Sequence, residues 1–331
     1  MRADIILFVF AKDHIFGLPG VICSISKTIT SERGRDIDIF GPMGISRYLS
    51  FNLQMSRFAR NEYMHQKFHE LFTGRDLRDV RERPPRNCEF ITATPEEDSD
   101  GVSWKCFEDE RYIVKAGLLK HTIPCFGYVV TEKERPGKFL VEKAIELNVP
   151  RGRLWGLLQE GKSVKVGDTV VHSEQVTEAP RKGRKIVVLG DTANSNSLIP
   201  FAMDADLLIH ECTYTEDMKF VHFHFFKIQF LSLYFSKEAR SRGHSSLSMA
   251  VEFANSINAK RLALTHFGKR FNTTTIYVRT PFFLDCLQPH RMIFQTDEER
   301  TETLKKEAKQ HFKGEVMIAR DFLEIDLPRY V

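Results

Sequence analysis

Short apolar runs that give way to polar, metal-ligating side chains recur along this chain. Ile5 to Phe10 is continuously apolar, the pattern of a strand covered on both faces, and Asp13-His14 follows at its C-terminal end. Ile186 to Gly190 repeats the arrangement and ends at Asp191, Leu207 to Ile209 ends at His210-Glu211, and Arg261 to Leu264 ends just before His266. Between these runs the spacing changes. The turn Gly17-Leu-Pro-Gly20 leads into Val21 to Ile29, spaced for a helix; Asp36 to Phe40 is a second buried strand closing on Gly41-Pro42; Ile45 to Leu53 is helical again. Such alternation predicts an α/β fold. Trp104 to Val114 alternates as a hairpin does, Val114 to Leu119 runs up to His121, and Phe126 to Thr131 resumes a strand. Ser246 to Asn255 and Glu298 to His311 read as amphipathic helices, and Glu315 to Asp326 as strand-like.

Three stretches break this rhythm. Arg75 to Gly101 is rich in charge, Pro and Asp and reads as a surface excursion. Lys133 to Lys185 carries the turns Pro136-Gly137, Pro150-Arg-Gly-Arg153 and Pro180-Arg-Lys-Gly-Arg-Lys185, and reads as a projecting basic arm. Phe220 to Phe235, FVHFHFFKIQFLSLYF, is dense in aromatics and reads as a packed insert, a lid, or translated sequence foreign to the working protein. The remainder of a 331-residue chain that is 42% hydrophobic suffices for one large core, so a single domain, 1–331, is expected to carry the arm at 133–185 and the aromatic insert at 220–235.

Charge and cysteine content narrow the picture slightly. A net charge of +4 is compatible with a polyanionic partner without requiring one. The six cysteines show no CxxC pairing, which favours reduced thiols in an intracellular compartment, the cytoplasm or the nucleus. No window calls for a membrane span, and the opening apolar run, interrupted by Asp4, is too short for a signal region.

The chemistry lies in a set rather than in any one residue. Asp13, His14, His121, Asp191, His210, Glu211, His244 and His266 mostly sit where a strand gives way to a loop, which is where α/β folds build ligand sites. Imidazole and carboxylate donors suit borderline divalent metals, and a carboxylate can bridge two of them; Asp191 is the bridging candidate. Two such ions activate water near neutral pH and neutralise charge on a transferring phosphoryl group.

Ordered motifs give the set an identity. Asp13-His-Ile-Phe-Gly-Leu-Pro-Gly20, Lys120-His-Thr-Ile-Pro-Cys-Phe-Gly-Tyr128, Leu189-Gly-Asp-Thr192, Ala205-Asp-Leu-Leu-Ile-His-Glu211, Gly243-His-Ser-Ser246 and Leu264-Thr-His-Phe-Gly-Lys-Arg270 resemble, in order, the motifs of ribonuclease Z, and Glu134-Arg-Pro-Gly-Lys138 is similar to the opening of the arm in its short form. The resemblance implies a metallo-β-lactamase fold, a four-layer αββα sandwich of two mixed sheets. It implies a zinc-dependent endonuclease that removes the 3′ trailer from precursor tRNA, with two zinc ions per subunit, acting as a homodimer. Asp13, His14 and His266 would then ligate one zinc, His121 the other, and Asp191 both. Asp13 would also position water, while Glu211 and His244 would donate a proton to the leaving oxygen. The arm would grip tRNA, with Lys133, Arg135, Lys138, Arg151 and Arg153 as the substrate-binding candidates.

Two departures qualify this. Where the motif of the resembled family has two more histidines, this chain has Val9 and Ala11, neither of which binds a metal, so one zinc would be left with His121 and Asp191. The family's opening strands and Cys-Gly-Glu-Gly-Thr motif do not precede Asp13, and the chain is expected to start late. A catalytically impaired relative that binds tRNA or dimerises is therefore the second reading. A small-substrate hydrolase of the same fold is a third, disfavoured by the basic arm.

Overall fold

The computed structural model describes residues 5–11, 14–27, 35–55, 64–73, 88–98, 101–214, 236–267 and 297–328. Four strands, β1 (Ile5–Phe8), β2 (Arg35–Pro42), β3 (Met64–Leu71) and β4 (Cys88–Ala93), pair in that order and all in parallel. Parallel neighbours need crossovers, and the helices Leu18–Ser26 and Ile45–Met55 lie on the first two. Alternation along the strands then gives the sheet two apolar faces. Ile37, Ile39 and Phe68 pack with Ile22, Ile45, Leu49 and Leu53 of the helices, while Phe40 and Leu71 join Trp104, Val114, Ala116, Phe126 and Tyr128 of a second sheet. Each such side chain contributes roughly 1.5–3 kcal/mol by leaving water.

The second sheet has eight strands. β5 (Glu96–Asp98), β6 (Gly101–Glu108), β7 (Tyr112–Leu119) and β8 (Cys125–Glu132) form an antiparallel meander. After β9 (Val164–Val166) and β10 (Thr169–Val171), which pair with each other in the arm, β11 (Lys185–Leu189) lies antiparallel to β8, and β12 (Leu207–Glu211), β13 (Arg261–Thr265) and β14 (Glu315–Ile318) extend the sheet in parallel. Helices Leu247–Ser256 and Asp297–His311 cover its outer face through Leu247, Ala250, Val251, Ala254, Leu304 and Ala308, against Val187, Leu208, Leu262 and Leu264. Helix, sheet, sheet, helix is the αββα sandwich of the metallo-β-lactamase fold, as expected, but among the described residues the four-stranded sheet is purely parallel where two mixed sheets were expected.

The tail of β1 joins the two sheets. Val9 N–H donates to the Phe40 carbonyl (2.8 Å), Phe126 N–H donates to the Phe10 carbonyl (2.9 Å), Ala11 bridges Cys125, and the buried Tyr128 hydroxyl donates to the Val9 carbonyl (2.7 Å). Val9 and Ala11 thus sit at the seam, 5% and 0% exposed, in separate apolar clusters.

The 133–185 segment leaves at the end of β8 and returns at the start of β11. Its two limbs run antiparallel through bridges Arg135–Arg181 and Phe139–Thr177 and pass so closely at Gly137 that a Cβ there would lie 1.9 Å from the Glu178 carbonyl oxygen. Only glycine fits, a physical reason for the Pro-Gly in the arm's opening motif. Beyond this stem the arm has its own core of Ala144, Val149, Leu158, Val164, Val171 and Val176. At its root the buried Glu132 carboxylate binds both Arg135 and Arg184, and Arg184 also donates to the Leu327 carbonyl (2.8 Å). The Arg184 hydrogen bond holds the Glu132 pKa below its ordinary value against the opposing effect of burial.

The structure departs from the sequence pattern in one region above all. β3 fell in no predicted element, and β4 and β5 lie inside the stretch read as a surface excursion. Three of the polar residues that mask β3 are paired in place, whereas the buried Gln66 Oε1 has no hydrogen-bond partner among the described residues. Lys67 pairs with Asp36 (3.3 Å), His69 pairs with Asp38 (2.6 Å) and stacks on Phe40, and Glu70 accepts from Gly44 N–H (2.9 Å) and Ser46 N–H (3.0 Å) at a helix N-terminus. Of Glu315 to Asp326, only Glu315–Ile318 is a strand; beyond it, the Asp326 carbonyl is held by Arg261. The aromatic stretch Phe220 to Phe235 lies outside the described residues.

Candidate metal centre

Four loops and one strand end, all on the eight-stranded sheet's side of the molecule, bring most of the predicted residues together. Asp191 follows β11, Glu211 ends β12, His266 follows β13, His121 lies between β7 and β8, and His244 precedes the helix Leu247–Ser256. His14 comes from the loop after β1. Asp191 is nearly buried at the middle, with His14 Nε2 3.3 Å from its Oδ2 and His266 Nε2 3.5 Å from its Oδ1. Donor atoms of His14, Asp191 and His266 all lie within 4.8 Å of one another, as do those of His121, Asp191 and His244, and those of Glu211, His244 and His266. One carboxylate, that of Asp191, is shared between two of these donor sets. Two imidazoles and a carboxylate in each of the first two sets suit zinc, with an open position left for water or substrate.

Hydrogen bonds on the far ring nitrogens set the imidazole tautomers. His121 Nδ1 donates to the Gly243 carbonyl (2.6 Å), which leaves Nε2 as the basic nitrogen. Gly243, at φ +81°, is required there because a Cβ would lie 2.7 Å from His121 Nδ1. His244 Nδ1 donates to Glu211 Oε1 (3.1 Å), and Thr192 N–H donates to the same oxygen (2.7 Å). The Thr213 hydroxyl donates to Glu211 Oε2 (2.5 Å) and so accepts from His266 Nδ1 (2.9 Å), turning His266 Nε2 towards Asp191. Glu211 therefore orients one imidazole directly and another through Thr213. His266 itself adopts φ +55°, an unusual backbone state for a residue other than glycine.

Both carboxylates are poised to stay charged. Burial alone would raise the Asp191 pKa, but the His14 hydrogen bond and the potentials of His266, His14 and His244 outweigh it and hold the group below its ordinary value. For Glu211 burial is likewise outweighed, by hydrogen bonds from His244, Thr213 and Thr192.

Other predicted residues fare differently. Asp13 lies outside the described residues. His210 joins none of the three donor sets; it is buried against Phe253, its Nδ1 bonds the Glu211 carbonyl (2.7 Å), and burial lowers its pKa. On the arm, Lys133 pairs with Glu108 (2.6 Å) and Arg135 with Glu132, whereas Lys138, Arg151 and Arg153 are exposed, Arg151 lying 5.4 Å over the Trp155 ring. Ser246 caps the following helix, accepting from Met249 N–H, and the Ser245 hydroxyl donates to the Thr192 carbonyl (2.5 Å). Sequence reasoning missed Thr213, which carried a readable signal two residues past Glu211 at a strand end, and it placed Gly243 in a motif without reading its contact with His121, 122 positions away.

Several known proteins are similar to this chain over most of its length. Zinc phosphodiesterase ELAC protein 1 of Homo sapiens is 32% identical over 332 aligned residues, covering 96% of this chain and 81% of that protein. Ribonuclease Z of Synechocystis sp. is 32% identical over 318 residues, covering 96% of this chain and 75% of its own. Among solved structures, human tRNase Z, short form, matches with a TM-score of 0.53 at 25% identity, covering 98% of this chain and 79% of that one. No protein-family profile matches the chain.

Proposed function

This chain belongs to the ribonuclease Z family, and on that premise we propose that it is a zinc-dependent endonuclease that removes the 3′ trailer from precursor tRNA. The observation that carries the reading is the sharing of buried Asp191 between His14 and His266 on one side and His121 and His244 on the other. Zinc bound there supplies Lewis acidity to a water and to the phosphodiester.

The chain's own residues supply position and charge. Asp191 holds the two donor sets at a fixed separation, and Glu211, with Thr213, keeps the basic nitrogens of His244 and His266 turned into the site. His266 and His14 are the more exposed ligands, 43% and 30%, so the scissile phosphate approaches from their side. His244 has two uses open to it: proton donor to the leaving oxygen, as the resemblance implies, or ligand. The arm presents Lys138, Arg151 and Arg153 to the phosphate backbone of the tRNA body, away from the cut. Homodimerisation, and action in the cytoplasm or nucleus, are part of the same reading.

The test is incubation of zinc-loaded protein with precursor tRNA bearing a 3′ trailer, beside Asp191→Ala. Release of the trailer with a 3′ hydroxyl on the tRNA, lost in the variant, supports the reading. Tight tRNA binding with no cleavage by either protein would instead favour the non-catalytic relative, which the apolar burial of Val9 and Ala11 keeps in play.

A further inference from the structure

We infer that His244 is a cation ligand in this chain, completing with His121 and Asp191 a second site that positions 9 and 11 cannot serve. The inference rests on the metal-dependent reading above and goes beyond it by reassigning one residue. Val9 and Ala11 offer no donor atom and are sealed into apolar clusters on either side of the seam between the sheets. What stands beside His121 instead is His244, its ring centroid 5.0 Å away, and the ligand atoms of His121, Asp191 and His244 lie within 4.8 Å of one another.

The tautomers fit the same assignment. His121 gives its Nδ1 proton to the Gly243 carbonyl, and His244 gives its own to Glu211, so each presents Nε2 as the basic nitrogen. A carboxylate behind an imidazole is the usual outer partner of a metal-binding histidine, fixing the ring and raising its basicity. Gly243 immediately precedes His244, so the backbone that fixes His121 also carries the second ligand. A nitrogen that binds a cation cannot also donate a proton, so ligation displaces the proton-donor role from His244 Nε2.

The experiment counts zinc bound per chain after equilibrium dialysis and titrates metal-free protein with Co(II), with no RNA present. Wild type is expected to hold two ions, and His244→Ala and His121→Ala one each, with Lys309→Ala, exposed on the outer helix Asp297–His311, still holding two. His244→Cys guards against misfolding, because in a variant that keeps the wild-type thermal transition a thiolate bound to Co(II) adds a charge-transfer band over that of wild type. One ion in wild type, two in His244→Ala, or no such band in His244→Cys overturns the inference while leaving metal dependence standing. No bound ion in any protein overturns both it and the reading it rests on.

Discussion

The two sheets share a core but not the chemistry. The eight-stranded sheet supplies Asp191, His266, His121, Glu211 and, through the loop before the helix that covers it, His244; the arm also springs from it, between β8 and β11. The four-stranded sheet supplies, among the described residues, only His14. At the end of β1, where the resembled motif carries two histidines, this chain has packed apolar side chains. The difference shows that strand position and ligand identity are separable. β1 pairs in register with β2, and Val9 and Phe10 just beyond it bond Phe40 and Phe126, with no metal donor at positions 9 and 11.

The contrast can be broken most forcefully at Asp191. Asp191→Ala removes the one group common to both donor sets, so zinc affinity is expected to fall by more than the ~100-fold typical of an outer-shell loss, with trailer cleavage lost and a cooperative thermal transition retained. Metal titration beside the cleavage assay reads this. Glu211→Gln comes next: it keeps the shape but removes the charge behind His244 and beneath Thr213, and metal affinity is expected to drop about 10–100-fold. An unchanged affinity would confine Glu211 to a packing role.

Gly137→Ala tests the arm alone. A Cβ 1.9 Å from the Glu178 carbonyl oxygen forces the two limbs apart, at a cost of roughly 1–3 kcal/mol. Affinity for tRNA should weaken, whereas hydrolysis of a small phosphodiester such as bis(p-nitrophenyl) phosphate should be spared. Equal losses in both assays would mean that the arm and the centre do not act separately.

The smallest effect concerns acid stability at the arm's root. Arg184 lowers the Glu132 pKa in the folded state, so this pair stabilises the fold above the ordinary glutamate value of 4.5 and the contribution is lost as pH falls through the lowered pKa. Denaturant unfolding across that range should show a shallower acid loss for Glu132→Gln than for wild type.

Legibility cut across the sheets: β1 and β2 of the four-stranded sheet were read as buried strands, while β5 of the eight-stranded sheet was not. The strands of the eight-stranded sheet that end on ligands were plain in the sequence because they are short, apolar and followed by His, Asp or Glu. Asp191 was legible as the carboxylate common to two donor sets, and the arm was visible from its turns and charge. β3 was not, because Lys67, His69 and Glu70 interrupt its apolar pattern and their partners Asp36, Asp38 and Ser46 lie 24 to 31 positions away. Glu211 was read as half of a proton-donating pair, whereas its reach to His266 through Thr213 depends on contacts that no local pattern records.

The central claim is that the centre works from donors on and beside the eight-stranded sheet, with His14 the contribution of the other. Its most direct test is the rate of trailer release from precursor tRNA by wild type and by a Val9→His, Ala11→His double variant at equal zinc. Wild type is predicted to cleave, and the variant to gain nothing, because an imidazole at either position must displace packed apolar neighbours. An inactive wild type beside a double variant that cleaves would contradict the account.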